Sequence, residues 1–134
     1  MINFQFADIN LVAVFVAWFI HIAIGLIWFQ PQLFGIEWSK LTGKELTPAK
    51  NWIIAGLAGH LVMIFVLVII IKLANISNGS GGLLVGLLCW IGFIVPMEIG
   101  ELIWEKIPFR LFLIRIGNQF VGIGISGFIL GVWQ

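Results

Sequence analysis

Four long apolar runs, at about residues 10–29, 51–73, 83–104 and 109–133, leave this chain few folds to choose from. About 20 consecutive apolar residues cross the hydrocarbon of a bilayer as a helix, and only a helix or a closed barrel satisfies its own backbone there. Of the 134 residues, 61% are hydrophobic and 10% charged, where a soluble domain carries about half and about a quarter. The sequence therefore predicts an all-α integral membrane four-helix bundle, with residues 1–134 forming a single membrane domain.

The connections refine this picture. Residues 30–50, QPQLFGIEWSKLTGKELTPAK, mix Leu33, Phe34, Trp38 and Leu41 with Lys40, Lys44 and Lys50. That mixture predicts a short amphipathic segment lying in the interface after the first span. Thr47 and Pro48 are placed as N-cap and first residue of the second helix, and residues 74–82, ANISNGSGG, as a turn-rich linker. The linker divides the chain into two similar helical hairpins: each has a span ending in Ile-Trp, a proline, a charged turn and a glycine-rich returning span.

Charge excludes some functions and orients the chain. A formal net charge of +1 does not suit an electrostatic nucleic-acid binder, so no nucleic-acid partner is expected. The single Cys89 can form neither an intrachain disulfide nor a cysteine metal cluster. Residues 1–10 contain no Lys or Arg, so a secretory signal is not expected and the first span is retained. Lys40, Lys44, Lys50, Lys106, Arg110 and Arg115 fall on the side of the 30–50 connection, against Lys72 on the other. The positive-inside rule makes that side cytoplasmic and leaves both termini outside. Trp28, Trp38, Trp52 and Trp104 fall at the same interface, as an aromatic belt requires.

Against this background the polar residues inside the spans stand out, because an intramembrane ionisable group is costly and usually faces a bundle interior or an aqueous path. Glu98 and Arg115 are equally far along the chain from the Pro108 turn. In an antiparallel hairpin they meet at one level, roughly 7–9 Å from the bilayer centre. His21, His60, Asn118 and Gln119 fall roughly 2–5 Å to the same side of the centre. Ala13, Ala17, His21 and Gly25 recur every four residues, which turns His21 toward the bundle. Pro96 is expected to kink the third span and free a carbonyl. Gly127 and Gly131 form a step that lets a neighbouring helix approach closely.

The candidate ligand-binding set is thus Glu98, Arg115, His21, His60, Asn118, Gln119 and Glu101, lining a polar pocket open to the cytoplasm. Each has a plainer reading. Glu98 with Arg115 can be a structural pair fixing helix register, Glu101 can reach interfacial water, and the histidines can be hydrogen-bonded core residues. His21 and His60 on facing helices could instead share a metal or haem iron, but neither a His-x-x-x-His nor a Glu-x-x-His pair is present, so the usual bundle metal motifs are missing, no metal is expected and the cofactor is unknown. No phosphate-binding glycine loop or serine elbow supports soluble-enzyme chemistry.

Trp28, Pro31, Leu33-Phe34-Gly35 and Trp38, then Trp90, Gly92-Phe93, Glu105, Pro108, Leu111-Phe112-Leu113-Ile114, Gly131 and Trp133, carry a resemblance across nearly the whole chain. The pattern is similar to that of the small bacterial membrane proteins of domain-of-unknown-function family 1761. The resemblance implies four spans in the bacterial cytoplasmic membrane and no particular activity. Two positions depart from the family pattern. Phe29-Gln30 stands where Tyr-Ser is usual, and Asn118-Gln119 replaces an aromatic-His pair, which removes a candidate metal ligand.

Three functions remain open. The pocket can bind and move a small solute or proton, with histidines suited to proton coupling. The chain can serve as an accessory subunit packed by its glycine faces, either as a homo-oligomer or within a larger membrane complex. It can also be a membrane-embedded enzyme acting on a lipid or quinone.

Overall fold

A computed structural model of the protein describes residues 5–134, so the start of the stretch read above as lacking a signal sequence lies outside the described residues. After a short 3₁₀ turn at Phe6–Asp8, Asn10 caps α1 (Leu11–Trp28) by accepting the Ala13 amide at 3.2 Å. The Ala13, Ala17 and His21 face is buried, as the four-residue spacing requires. The interfacial segment forms α2 (Gly35–Thr42), stopped at Gly43, whose φ of +68° is a left-handed conformation open to glycine. The second span starts later than Thr47-Pro48 would have it. Ala49 remains extended, Thr47 turns its hydroxyl to the Glu45 carboxylate at 3.3 Å, and a 3₁₀ turn at Lys50–Trp52 leads into α3 (Ile53–Leu73).

At the end of α3, Asn75 takes a φ of 56°, Ile76 N–H donates to the Ile71 carbonyl and Asn75 N–H to that of Lys72. This Schellman closure satisfies the last carbonyls and returns Ile76 onto the core. Half of the expected linker is then helical. Asn78 accepts the Gly81 amide at 2.7 Å and caps α4 (Gly79–Cys89). Its glycines are helical for a tertiary reason: a Cβ on Gly82 would overlap the Gly127 carbonyl, and one on Gly131 the Asn78 carbonyl. Gly82 and Gly86 thus meet Gly127 and Gly131 in a backbone-to-backbone seam.

The third span continues through a π-helical turn at Trp90–Ile94 into α5 (Val95–Trp104). Val95 N–H donates to the carbonyl of Trp90, five residues back. Pro96 explains the wider turn, since it has no N–H and its ring crowds the carbonyl four residues back. Lys106, with a φ of 52°, and Pro108 reverse the chain into α6 (Phe109–Val132).

The result is an all-α bundle in which four helices are long and apolar enough to cross a membrane, among the described residues: Leu11–Trp28, Lys50–Leu73, Gly79–Trp104 and Phe109–Val132. The central element is α6, which touches α1, α2, α3, α4 and α5. Packing is uneven along its length. The core of Ile9, Val14, Ile64, Val68, Ile71, Ile123 and Leu130 lies toward the termini. At the opposite end, near α2, the first half of α3 and all of α5 contribute no buried residue. In the described residues α3 packs against α4, with no comparable contact joining it to α5.

Candidate functional site

The loosely packed end holds the polar residues. Along α6, Arg115, Gln119, Gly122 and Ser126 follow one another at intervals of four, three and four residues, so they share one helix face. Glu98 and Glu101 of α5 meet the first of them. One nitrogen of the Arg115 guanidinium lies 3.5 Å from Glu98 Oε2 and 3.9 Å from Glu101 Oε2. These are ion-pair distances longer than hydrogen bonds. Glu98 is the more buried of the two carboxylates. Their equal distance from the middle of the turn before Pro108 thus places Glu98 and Arg115 together.

Farther along the same face, the ring of His21 lies against Gly122, where a Cβ would come within 2.7 Å of its Cε1 and Nδ1. Glycine is what admits an imidazole from α1 so close to α6. His60 of α3 stands 5.2 Å from His21 between ring centroids. Its Nδ1 lies 2.8 Å from the Gly56 carbonyl and must donate to it. That tautomer leaves Nε2 with a free lone pair. Ser126 donates its hydroxyl to the Gly122 carbonyl at 2.7 Å.

Three buried polar side-chain atoms have no hydrogen-bond partner among the described residues: His21 Nδ1, Glu98 Oε2 and Gln119 Oε1. They come from α1, α5 and α6. Asn118 is half-buried beside this face, and its side chain makes no hydrogen bond to the described residues. Among those residues no group of three or more His, Cys, Asp or Glu could hold a metal ion.

Indole hydrogen bonds frame the cluster. Trp28 Nε1 donates to the Ile114 carbonyl at 3.1 Å, Trp90 Nε1 to that of Ile116 at 2.8 Å, and Trp18 Nε1 to that of Leu57 at 3.0 Å. Each joins two spans, and Trp28 and Trp90 grip α6 on either side of Arg115. A second anchor holds α2, where Arg110 makes two bonds to the Glu37 carboxylate, at 2.7 and 3.1 Å. These bonds hold the exposed Glu37 carboxyl below its ordinary range. Sequence reasoning missed Glu37 with Arg110, since partners 73 residues apart carry no local signal. It also missed Gly122 and Ser126, which the heptad spacing from Arg115 could have found.

Four bilayer-length helices with ionisable groups held between them define a small multi-pass membrane protein of the all-α class. More particularly, the family described as Protein of unknown function (DUF1761) matches residues 12–131, and the chain belongs to it. No curated protein and no solved structure matches the chain.

Proposed function

We propose that this is a multi-pass protein of the bacterial cytoplasmic membrane, with both termini outside, whose polar cluster faces the cytoplasm and binds, and moves, a small solute or proton. The three buried polar atoms that lack a hydrogen bond carry this reading. A buried polar group left unmet costs about 1–3 kcal/mol, and three on three helices lie where a bound solute or water would satisfy them. Glu98, Arg115, Glu101, His21, His60, Asn118 and Gln119 are its contacts. The cytoplasmic placement rests on the excess of Lys and Arg at the α2 end. Native mass spectrometry of protein extracted gently from its own membrane tests the reading. A bound species present in the wild type and lost in Glu98→Gln supports it; identical spectra for both overturn it.

One observation favours a second reading. Gly56 and Gly59 of α3, and Gly92 and Gly100 at the π turn and α5, have nothing within 4 Å of a Cβ position. Such open small-residue faces suit close packing against another helix, from a second copy or a larger membrane complex. A chain that travels unliganded with a fixed partner in the same spectra would favour an accessory subunit over a solute site.

A further inference from the structure

The histidine end of the cluster supports an inference that goes beyond solute binding and does not rest on it. His21 is 4% exposed, and its Nδ1 meets no hydrogen-bond partner among the described residues. Nothing on that nitrogen fixes the tautomer, and a neutral imidazole always offers one lone pair. His60 stands beside it on α3, its Nδ1–H engaged by the Gly56 carbonyl at 2.8 Å and its Nε2 lone pair free. A backbone carbonyl on one imidazole nitrogen is the usual device that orients the other toward a metal ion. Gly122, against which His21 lies, is seven residues beyond Arg115, about 10 Å along α6. The two rings are thus set apart in level from the Glu98 and Arg115 pair.

The separation of the rings selects a geometry. A ring centroid lies about 3.2 Å from a metal ion bound through nitrogen at roughly 2.0 Å. Two such rings on one ion stand about 6.4 Å apart when linear and about 5.2 Å apart at a tetrahedral angle. The centroids of His21 and His60 are 5.2 Å apart. A bent pair leaves a coordination position to fill. Met63 follows His60 by three residues on α3 and is half-buried. Residues at that spacing are neighbours on a helix surface, and helical side chains lean toward the N-terminus, which turns the Met63 thioether back toward His60.

Charge selects the ion. Two imidazoles and a thioether are all neutral, and among the described residues no group of three or more His, Cys, Asp or Glu could hold a metal ion. The cost of taking an ion out of water grows with the square of its charge, so a divalent ion costs about four times as much here as a monovalent one. Thioether sulfur is a soft ligand that selects copper(I).

We propose that His21, His60 and Met63 bind one copper(I) ion between α1 and α3, with the half-buried His60 on the side from which the ion enters.

Anaerobic titration of the full chain in lipid nanodiscs with copper(I), in competition with the chromophoric chelator bathocuproine disulfonate, tests this. Cys89→Ser is the background, so that the thiol cannot take the ion. One copper(I) per chain is expected, with X-ray absorption showing nitrogen at about 2.0 Å and sulfur at about 2.3 Å. His60→Gln should weaken binding by roughly a hundredfold, and Met63→Leu by roughly tenfold with loss of the sulfur shell. Met97→Leu, at an exposed position, should change neither. His60 and Met63 are only half-buried, and matching unfolding midpoints without metal would show that their variants fold. Absence of copper(I) binding, or binding indifferent to His60→Gln, overturns the proposal. Zinc held as tightly as copper(I) overturns the choice of ion, and a wild-type shell without sulfur overturns Met63 as a ligand. The solute reading is judged separately, by whether the bound species in native spectra depends on Glu98.

Discussion

The glycine seam between α4 and α6 makes a quantitative demand on stability. In Gly82→Ala the new Cβ would overlap the Gly127 carbonyl oxygen and lie 2.9 Å from Gly131 Cα. Both are backbone atoms, so no side chain can rotate away and the helices must separate. Overpacking of this kind costs about 1–3 kcal/mol, and a backbone-to-backbone clash belongs at the upper end. Replacing glycine by alanine inside a helix returns about 1 kcal/mol. The net loss is about 2 kcal/mol, roughly a thirtyfold fall in the folded-to-unfolded ratio. Gly59→Ala is the matched control, since nothing lies within 4 Å of its Cβ position. There the propensity gain of about 0.5–1 kcal/mol stands alone. Denaturant unfolding in one detergent, followed by tryptophan fluorescence, should separate the two variants by about 3 kcal/mol in opposite directions from the wild type. A Gly82→Ala protein as stable as the wild type, or both variants shifting together, would refute close approach as the reason for these glycines.

Other expectations concern the framing contacts. Because Arg110 holds the Glu37 carboxyl below its ordinary value of 4.5, the α2 anchor is complete above that pH and lost as pH falls through the lowered folded value. Trp38 fluorescence should therefore be flat from neutral pH down to about 4.5 and change below it, with the step absent in Arg110→Gln. Trp90→Phe keeps an aromatic ring near Phe120 but removes the donor to the Ile116 carbonyl, so unfolding should shift by about 1 kcal/mol. Equal stability would show that the bond contributes nothing. Pro96→Ala restores the N–H that the π turn accommodates, so α4 and α5 should re-form as one straighter helix and turn Glu98 away from Arg115. Cysteine crosslinking between positions 98 and 115, in a background with Cys89 replaced, should then fall, and undiminished crosslinking would contradict the hinge argument.

The spans were legible because lipid imposes one rule, length of apolar helix, that operates within a local stretch of chain. Glu98 and Arg115 were legible for a similar reason: a tight turn at Pro108 converts equal sequence distance into equal depth. His21 was readable from its alanine neighbours at four-residue spacing. What escaped depends on partners distant in the chain. Gly79, Gly81 and Gly82 have the composition of a linker, and only Gly127 and Gly131, more than forty positions on, explain why a glycine at 82 belongs in a packed helix. Thr47 and Pro48 have the right chemistry for a helix start, but Ala49 stays extended and the cap is not used. Glu37 is one charge among several in an interfacial segment, and its partner Arg110 lies at the start of α6.

The π turn connects the two ends of the molecule. The seam requires α4 to present Gly82 and Gly86 to α6, which fixes the rotation of the third span at the termini end. In an unbroken α-helix that rotation would propagate through α5 at about 100° per residue. A π-helical turn inserts the equivalent of about one residue, so everything after it lags by about 100°. Without the insertion, the slot opposite Arg115 would be filled by Met97, now 77% exposed, and Glu98 would point about 100° away. Pro96 and the turn at Trp90–Ile94 are therefore the means by which one span serves two registers, a glycine register for packing and a carboxylate register for the polar cluster. The turn also accounts for the looseness at that end: once α5 leaves the line of α4, no contact comparable to that of α3 with α4 joins it to α3 among the described residues, and α6 is left to hold Arg115 and Gln119 there.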